Sequence, residues 1–303
     1  MAKFISKYDL IRLMGDEKNS VQFLFDESLL NTNQLCSECG APMILKSRVD
    51  RRYPHFECAA GHEKITISCS KGTWFEKSKM SPMQIMLVTH CFAVNNSYKQ
   101  TVIEASMGNT KLSAMTISDW FNYCREVCMI SIEDKYRRRK IGGPGHIVEI
   151  DECKIGTRKY RRGRIMEGNW ILGIIDRNTK DVRMTICPEN QNDGTTVYNL
   201  ISEHVEATST INTDCWGGYN GLMASGFAAH LNANHSQHSR RVHTNAIESQ
   251  FRSLRRSLTR GGIRQKDMDV HICEYLWRKD CESRNADPFQ ELIEHIRKMY
   301  PIN

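Results

Sequence analysis

Apolar positions recur along this chain at two different periods, and the change of period divides it. Up to about residue 30 the pattern marks one or two short amphipathic helical segments. Residues 33–75 are rich in Cys, Gly and turn formers and carry little helical periodicity. Ser81-Pro82 then offers an N-cap followed by proline at the first helical position, and Ile85, Met86, Val88, His90, Phe92 and Ala93 continue a helix. Residues 101–105 read as a short helix and Gly108-Asn109 as a break. A longer helix from Ser113 to about Ile130 carries Met115, Ile117, Trp120, Phe121, Cys124, Val127 and Cys128 at helical spacing. The pair suits a helix-turn-helix, with an ordinary helical hairpin as the alternative.

From residue 146 the texture becomes strand-like over 146–151, 169–176 and 182–188, the last two joined by the turn formers Arg177-Asn178-Thr179-Lys180. A helix follows over 195–205, with Val197, Leu200, Ile201 and His204 on one face. Then come a strand at 209–213, a short helix at 219–225, a strand at 228–233 and a long helix from Thr244 to about Leu258. Three antiparallel strands followed by alternating helices and strands predict an α/β class, a ribonuclease-H-like mixed sheet flanked by helices.

Composition narrows the class. The 303 residues are 40% hydrophobic and 25% charged with seven prolines, which excludes a mainly disordered or collagen-like chain. The uncharged stretch from Met80 to Tyr98 contains Gln84, His90, Asn95 and Asn96 and is a poor membrane span. The opening residues show no secretory signal. Eight of the twelve cysteines are scattered from Cys91 to Cys281, which predicts a reducing, intracellular compartment.

Three acids stand on three different elements. Asp151 ends the first predicted strand, Asp214 follows the fourth, and Glu248 lies one turn inside the helix that Thr244 opens. Carboxylate oxygens converging this way suit Mg²⁺ or Mn²⁺, and two such ions serve phosphodiester cleavage. Asp151 shares strand parity with Glu149, while Glu152 points the other way, so only Asp151 or Glu149 can face that side. Asp176 is a reserve ligand, although Arg177-Asn178 after it favours a hairpin turn.

The runs Glu149-Ile150-Asp151-Glu152, Gly168-Asn169-Trp170, Thr213-Asp214-Cys215-Trp216-Gly217-Gly218-Tyr219, Asn234-His235-Ser236 and His243-Thr244-Asn245-Ala246-Ile247-Glu248-Ser249 are ordered along the chain. Together they resemble the Merlin superfamily of DDE transposases and their bacterial insertion-sequence relatives. The Cys-rich region, Lys71-Gly72-Thr73-Trp74-Phe75 and the helical region before residue 146 are similar as well, so the likeness covers about residues 20–300. It implies a cut-and-paste transposase with Asp151, Asp214 and Glu248 as catalytic triad and Asn245 as the neighbouring polar residue. It also implies strand transfer into target DNA and a homo-oligomer that brings two terminal inverted repeats together. For Trp216 and Tyr219, packing is at least as good a reading as DNA contact, and for His235 and His243 a structural or phosphate-contacting role is favoured over metal ligation.

Cys36-Ser37-Glu38-Cys39 is a two-residue-spaced pair, followed by Cys58 and His62, a spacing that suits a tetrahedral structural Zn²⁺ in a zinc ribbon. Gly61 stands where a regular second pair would put Cys, so His62 is the fourth ligand of choice, with Cys69 the alternative and His55 a weaker one.

The net charge of +7 is gathered into clusters. One holds Lys135, Arg137, Arg138, Arg139 and Lys140 and is followed by Gly142-Gly143-Pro144-Gly145, which reads as a basic linker. A second holds Lys154, Arg158, Lys159, Arg161, Arg162 and Arg164. The third, from Arg240 to Lys266, has Glu248 as its only acid, and places Arg252, Arg255, Arg256 and Arg260 four, seven, eight and twelve positions after it, in part on the same helix face. Guanidinium groups there suit a phosphate backbone, and Arg161 and Arg162 extend the candidate DNA contacts.

The expected organisation is an N-terminal helical segment over 1–32, a zinc ribbon over 33–75, a helical DNA-binding region over 76–134, the linker over 135–145 and a ribonuclease-H-like catalytic domain with C-terminal helices over 146–303. The expected partner is double-stranded DNA, with no membrane, in the nucleus of a eukaryote or the cytoplasm and nucleoid of a bacterium. A non-cleaving, domesticated DNA-binding protein and a structure-specific nuclease are the alternatives.

Overall fold

The computed structural model describes residues 4–48, 50–60, 62, 65–108, 111–156, 168–222, 226–232, 243–258, 263 and 265–302. The chain divides into two units, Met1–Val127 with Cys281–Asn303, and Cys128–Asp280.

In the first unit α1 (Lys7–Met14) and α2 (Glu17–Asp26) pack on each other and on α3 (Pro82–Ala93). Every residue of α3 is buried, as befits a helix that is apolar all round. Its start is fixed by a capping box. Ser81 Oγ accepts from Gln84 N at 3.2 Å and Gln84 Oε1 accepts from Ser81 N at 3.1 Å, an arrangement that stabilises a helix start by about 1 kcal/mol. Ser97 and Gln100 repeat the box, so α4 (Tyr98–Ala105) begins three residues before the expected start at 101. Tyr98 meets Phe121 of α5 (Ala114–Arg138) at 5.1 Å between ring centroids.

The C-terminal helix α9 (Pro288–Met299) also clusters with this unit, whereas the sequence places it with residues 146–303. The reason is its buried face, Phe289, Leu292, Ile293 and Ile296. That helix packs on α3, with the Phe289 ring 5.2 Å from His90, while Arg297 pairs with Glu27. Between α2 and α3 lies a small antiparallel sheet of β1 (Met43–Lys46), β2 (His55–Cys58) and β3 (Thr66–Ser68), which sets Met43 opposite Cys58.

The second unit is built on a five-stranded mixed sheet. Its strands are β4 (Ile147–Ile155), β5 (Asn169–Asp176), β6 (Val182–Ile186), β7 (Thr210–Thr213) and β8 (Ala229–Asn232), in the order β6-β5-β4-β7-β8. The β4–β5 and β5–β6 pairs are antiparallel, and the β4–β7 and β7–β8 pairs are parallel. One face buries Val148, Ile150, Leu172 and Ile174 against Val197, Leu200 and Ile201 of α6 (Gly194–His204) and against Tyr219. The other receives α7 (Asn245–Ser257) through Ile247, Phe251 and Leu254. Helix α8 (Met268–Arg284) follows.

Three details differ from the sequence reading. Asp151 does not end β4, because the ladder with β5 continues to the pair Ile155 and Asn169. The expected helix at 219–225 starts as a single 3₁₀ turn, Gly217–Tyr219, and residues 223–225 lie outside the described residues. Residues 135–138, read as linker, are the last turn of α5. Their charges are met internally. Lys135 Nζ lies 2.7 Å from Asp181 and 2.9 Å from Asp280, Arg139 also pairs with Asp181, and Arg137 and Arg138 pair with Glu133 and Asp134 one turn earlier. Lys140 donates to Ser202 O.

Candidate active site and metal centre

Strand register places the first two acids. Glu149 of β4 pairs with Asn212 of β7 in parallel, two residues before Asp151 and Asp214 respectively, and Asp214 is the first residue after β7. The β4–β7 ladder has ended there while β4 still pairs with β5. Asp214 Oδ1 accepts from Trp216 N at 3.0 Å, and this bond turns the chain sharply away from β7.

The third acid comes with α7, which runs along β4. At its start Glu149 Oε2 accepts from Ala246 N at 2.8 Å and Ile247 N at 3.2 Å. Opposite Asp151 is Gly173, where a Cβ would lie 2.5 Å from Phe251 Cζ and 2.8 Å from Ile247 Cδ1. Only glycine lets the helix come this close. Directly opposed residues project to one face of an antiparallel pair, so Asp151 faces the side on which α7 lies. Glu248 stands one residue after Ile247, and its Oε1 accepts from Thr244 Oγ1 at 3.2 Å. The expected Asn245 is the first residue of α7 and is exposed.

Secondary structure places Asp151 on the face where α7 lies, Asp214 directly after β7 and Glu248 in the first turn of α7. Their oxygens are not drawn into a closed set. Among the described residues only Cys36, Cys39, Cys58 and His62 form a group of three or more whose ligand atoms all lie within 4.8 Å of one another. Carboxylates without a cation between them repel, which opposes closure.

Two neighbouring acids take other roles. Glu149 is fully buried and holds the N-terminus of α7 together with Arg177, which also donates to His243 Nδ1 at 2.8 Å and His243 O at 2.7 Å. His243 is thus a structural partner, and His235 lies outside the described residues. Asp176 accepts from Asn178 N at 2.8 Å and pairs with His146 at 2.7 Å. It is level with Val148, three residues below Asp151, so the hairpin-turn reading holds and the reserve-ligand reading is overturned.

Sequence reasoning set Glu152 aside. On the face opposite Asp151 it meets Tyr219, and burial pushes its carboxyl up to about 7. The Tyr219 hydroxyl works against that rise, and the Asp151 and Asp214 carboxylates add to it. Strand parity located the residue correctly. Its nearness to Asp214 depends on where the turn after β7 passes.

Arg252, Arg255 and Arg256 are exposed on α7 and make no ion pair among the described residues. Arg161, Arg162 and Arg260 lie outside the described residues.

In the small sheet, Cys36 and Cys39 flank a tight turn in which Gly40, at φ +68°, donates to Cys36 O, and Cys58 closes β2 beside them. Cys36 Sγ and Cys58 Sγ lie 3.6 and 3.5 Å from His62 Nδ1, and Cys39 Sγ lies 3.6 Å from Cys58 Sγ. Backbone N–H groups of Cys39 and Glu38 lower the Cys36 thiol to about 6. This Cys₃His set fits a structural Zn²⁺. Cys69 is fully buried with its thiol pushed up to about 12, and His55 bonds Glu57 instead, so neither joins it.

No helix among the described residues is long and apolar enough to cross a membrane. No curated protein matches the sequence. Among solved structures, a chain in the cryo-EM structure of a simian T-cell lymphotropic virus intasome in complex with the PP2A regulatory subunit B56 gamma matches at 16% identity. The match covers 54% of this chain and only 57% of that one, with a TM-score of 0.26. Residues 142–280 match the profile described as the ISXO2-like transposase domain, and the match ends where the second unit ends. The segment that carries β4–β8, α6 and α7 is thus similar to the ISXO2-like transposase domain, consistent with a DDE transposase of the insertion-sequence type.

Proposed function

We propose that the second unit is a ribonuclease-H-like polynucleotidyl transferase, a DDE transposase that cleaves phosphodiesters at element ends and joins the freed ends to target DNA. The observation that carries this reading is the parallel β4–β7 register, which pairs Glu149 with Asn212 two residues before Asp151 and Asp214, together with the packing of the helix bearing Glu248 over Gly173. The strand order β6-β5-β4-β7-β8, antiparallel on one side of β4 and parallel on the other, supports the fold assignment.

Asp151, Asp214 and Glu248 offer hard oxygen donors that fit Mg²⁺ or Mn²⁺. Bound there, such ions supply the Lewis-acid charge that activates the attacking oxygen and stabilises the leaving one. Asn245 adds a polar group at the start of the helix that bears Glu248. The guanidinium groups of Arg252, Arg255 and Arg256 leave α7 on its exposed side, where they hold phosphates in place. Zinc in the Cys₃His set is structural and fixes the ribbon. The DNA partners are terminal inverted repeats and target DNA, and pairing of two ends calls for a homo-oligomer. Such a protein works where DNA is, in the nucleus or the nucleoid.

The test is nicking of labelled terminal-repeat DNA in Mg²⁺. Asp214→Ala abolishes nicking while binding stays within a few-fold of wild type, and full nicking by that variant refutes the assignment. Binding without any cleavage by the wild type identifies a non-cleaving DNA-binding protein, and cleavage without joined product a nuclease.

A further inference from the structure

The capping box at the start of α3 leaves two donors over. Gln84 Oε1 accepts from Ser81 N, and a backbone N–H can face only the carbonyl end of that amide, so Nε2 is turned away from the cap. Gln84 is 5% exposed, and among the described residues its buried Nε2 has no hydrogen-bond partner. The backbone of the same turn adds a second donor. Pro82 has no N–H, Ser81 Oγ takes that of Gln84 and Ser81 O that of Ile85, which leaves Met83 N at the positive end of a 12-residue helix.

Ser81, Met83 and Gln84 line a cleft of about 350 Å³ in the first unit, and its other walls carry Arg52, Lys79, Asp16 and Ser20. Arg52 Nη1 donates to Met80 O at 2.9 Å, which ties the β1–β2 connection to the entry of α3. Lys77 pairs with Glu76, whereas the exposed Lys79 makes no ion pair among the described residues. Asp16 is the one acid among the lining residues, and it is engaged in capping α2, with Oδ1 accepting from Asn19 N at 2.8 Å. Ser20 Oγ donates to Asp16 O at 2.7 Å. A water could accept from one of the spare donors. Only an anion also answers two cations and the end of a helix dipole.

We infer that this cleft is an oxyanion site that takes one phosphate of the DNA backbone, with Gln84 Nε2 and Met83 N donating to its oxygens and Arg52 and Lys79 supplying positive charge. The inference rests on the proposed function for the identity of the polymer, and it adds a contact in the first unit, where that reading places none.

The test uses the zinc-loaded full-length chain and a labelled terminal-repeat duplex, with binding read by fluorescence anisotropy across a salt series. Gln84→Glu keeps an acceptor for Ser81 N, and so keeps the capping box, but replaces the Nε2 donor by an oxygen that repels phosphate. If Gln84 serves only as a cap, this variant melts at or above the wild-type temperature and binds DNA as the wild type does. The inference expects the same melting behaviour with affinity lowered by about tenfold, the loss of a hydrogen bond to a charged group. Lys79→Gln should lower the magnitude of the log–log salt slope by about one. Lys298→Gln, which removes an exposed cation of α9, leaves affinity and slope at wild type. Should Gln84→Glu fail to fold, Lys79→Gln and Lys79→Glu carry the test. Wild-type affinity and slope in the Gln84 and Lys79 variants, in a protein that nicks this DNA, overturn the inference and leave the proposed function standing. A wild-type chain that binds no DNA overturns both. Inorganic phosphate is the second probe. If it raises the melting temperature of the wild type but not of Gln84→Glu, while both bind DNA equally, the cleft takes free phosphate and the DNA contact is refuted.

Discussion

Glu149 Oε2 accepts a hydrogen bond from Ala246 N at 2.8 Å across 97 positions of chain, so a carboxylate on a central strand caps a helix on the face of the sheet. Thr244, the N-cap residue by position, makes no side-chain cap of its own. The strand supplies the anion that the helix N-terminus needs, and in doing so fixes how far along β4 the helix starts.

Glu149→Ala is therefore expected to destabilise the second unit by about 3 kcal/mol, because it removes the cap and leaves the partly buried Arg177 without its main anion. Glu149→Gln, which keeps an acceptor, loses less. Urea unfolding read from Trp fluorescence measures the difference.

Gly173→Val forces a side chain into space held by Phe251 and Ile247. Overpacking of this kind costs about 1–3 kcal/mol, and here it also lifts α7 off β5. Nicking falls further than stability if Glu248 is moved with the helix. Thermal melting and the nicking assay on one sample separate the two effects.

Acid weakens the second unit in two steps. His204 is 4% exposed and burial holds its pKa below the usual histidine value, so the unfolded chain takes up a proton first and stability falls as pH drops below about 6.5. Burial would raise Asp176, but hydrogen bonds from His146, Asn178 N and Thr179 outweigh it and hold the carboxyl low. Its contribution is present above about pH 4 and is lost as pH falls through the lowered value. His204→Gln should flatten the upper step alone in a series of melting curves against pH.

Removing zinc should unfold residues 33–75 selectively, since a sheet of strands this short gains most of its folding free energy from its metal. Limited proteolysis with and without a chelator reports it. An unchanged pattern would remove zinc from the account, and Cys58→Ser should reproduce the chelated pattern without chelator.

Arg255→Ala should weaken DNA binding alike for specific and unrelated sequences. The log–log salt slope should fall in magnitude by about one if the side chain holds one phosphate. A change in sequence preference instead would mean that this helix reads bases.

The sequence by itself determined the local elements and their order. The 3.6-residue period of α3 and α6, the cap at Ser81 and the strand runs at 169–176 and 182–188 depend on neighbours within a few residues, and the structure has them close to where the pattern put them, with the last strand ending two residues earlier at Ile186. The Cys36, Cys39, Cys58 and His62 set was legible too, because a short hairpin fixes its spacing. Only the tertiary structure decided between like residues. Glu149, Asp151 and Glu152 are similar acids within four residues, and they became a helix cap, a carboxylate on the α7 face of the sheet and a neighbour of Tyr219 through partners brought close only by folding. The run at Lys135–Lys140 is uniformly basic, yet Asp181 and Asp280, far along the chain, neutralise part of it. Burial and charge pairing act through space, and their sign at a given residue is set only once the chain has folded.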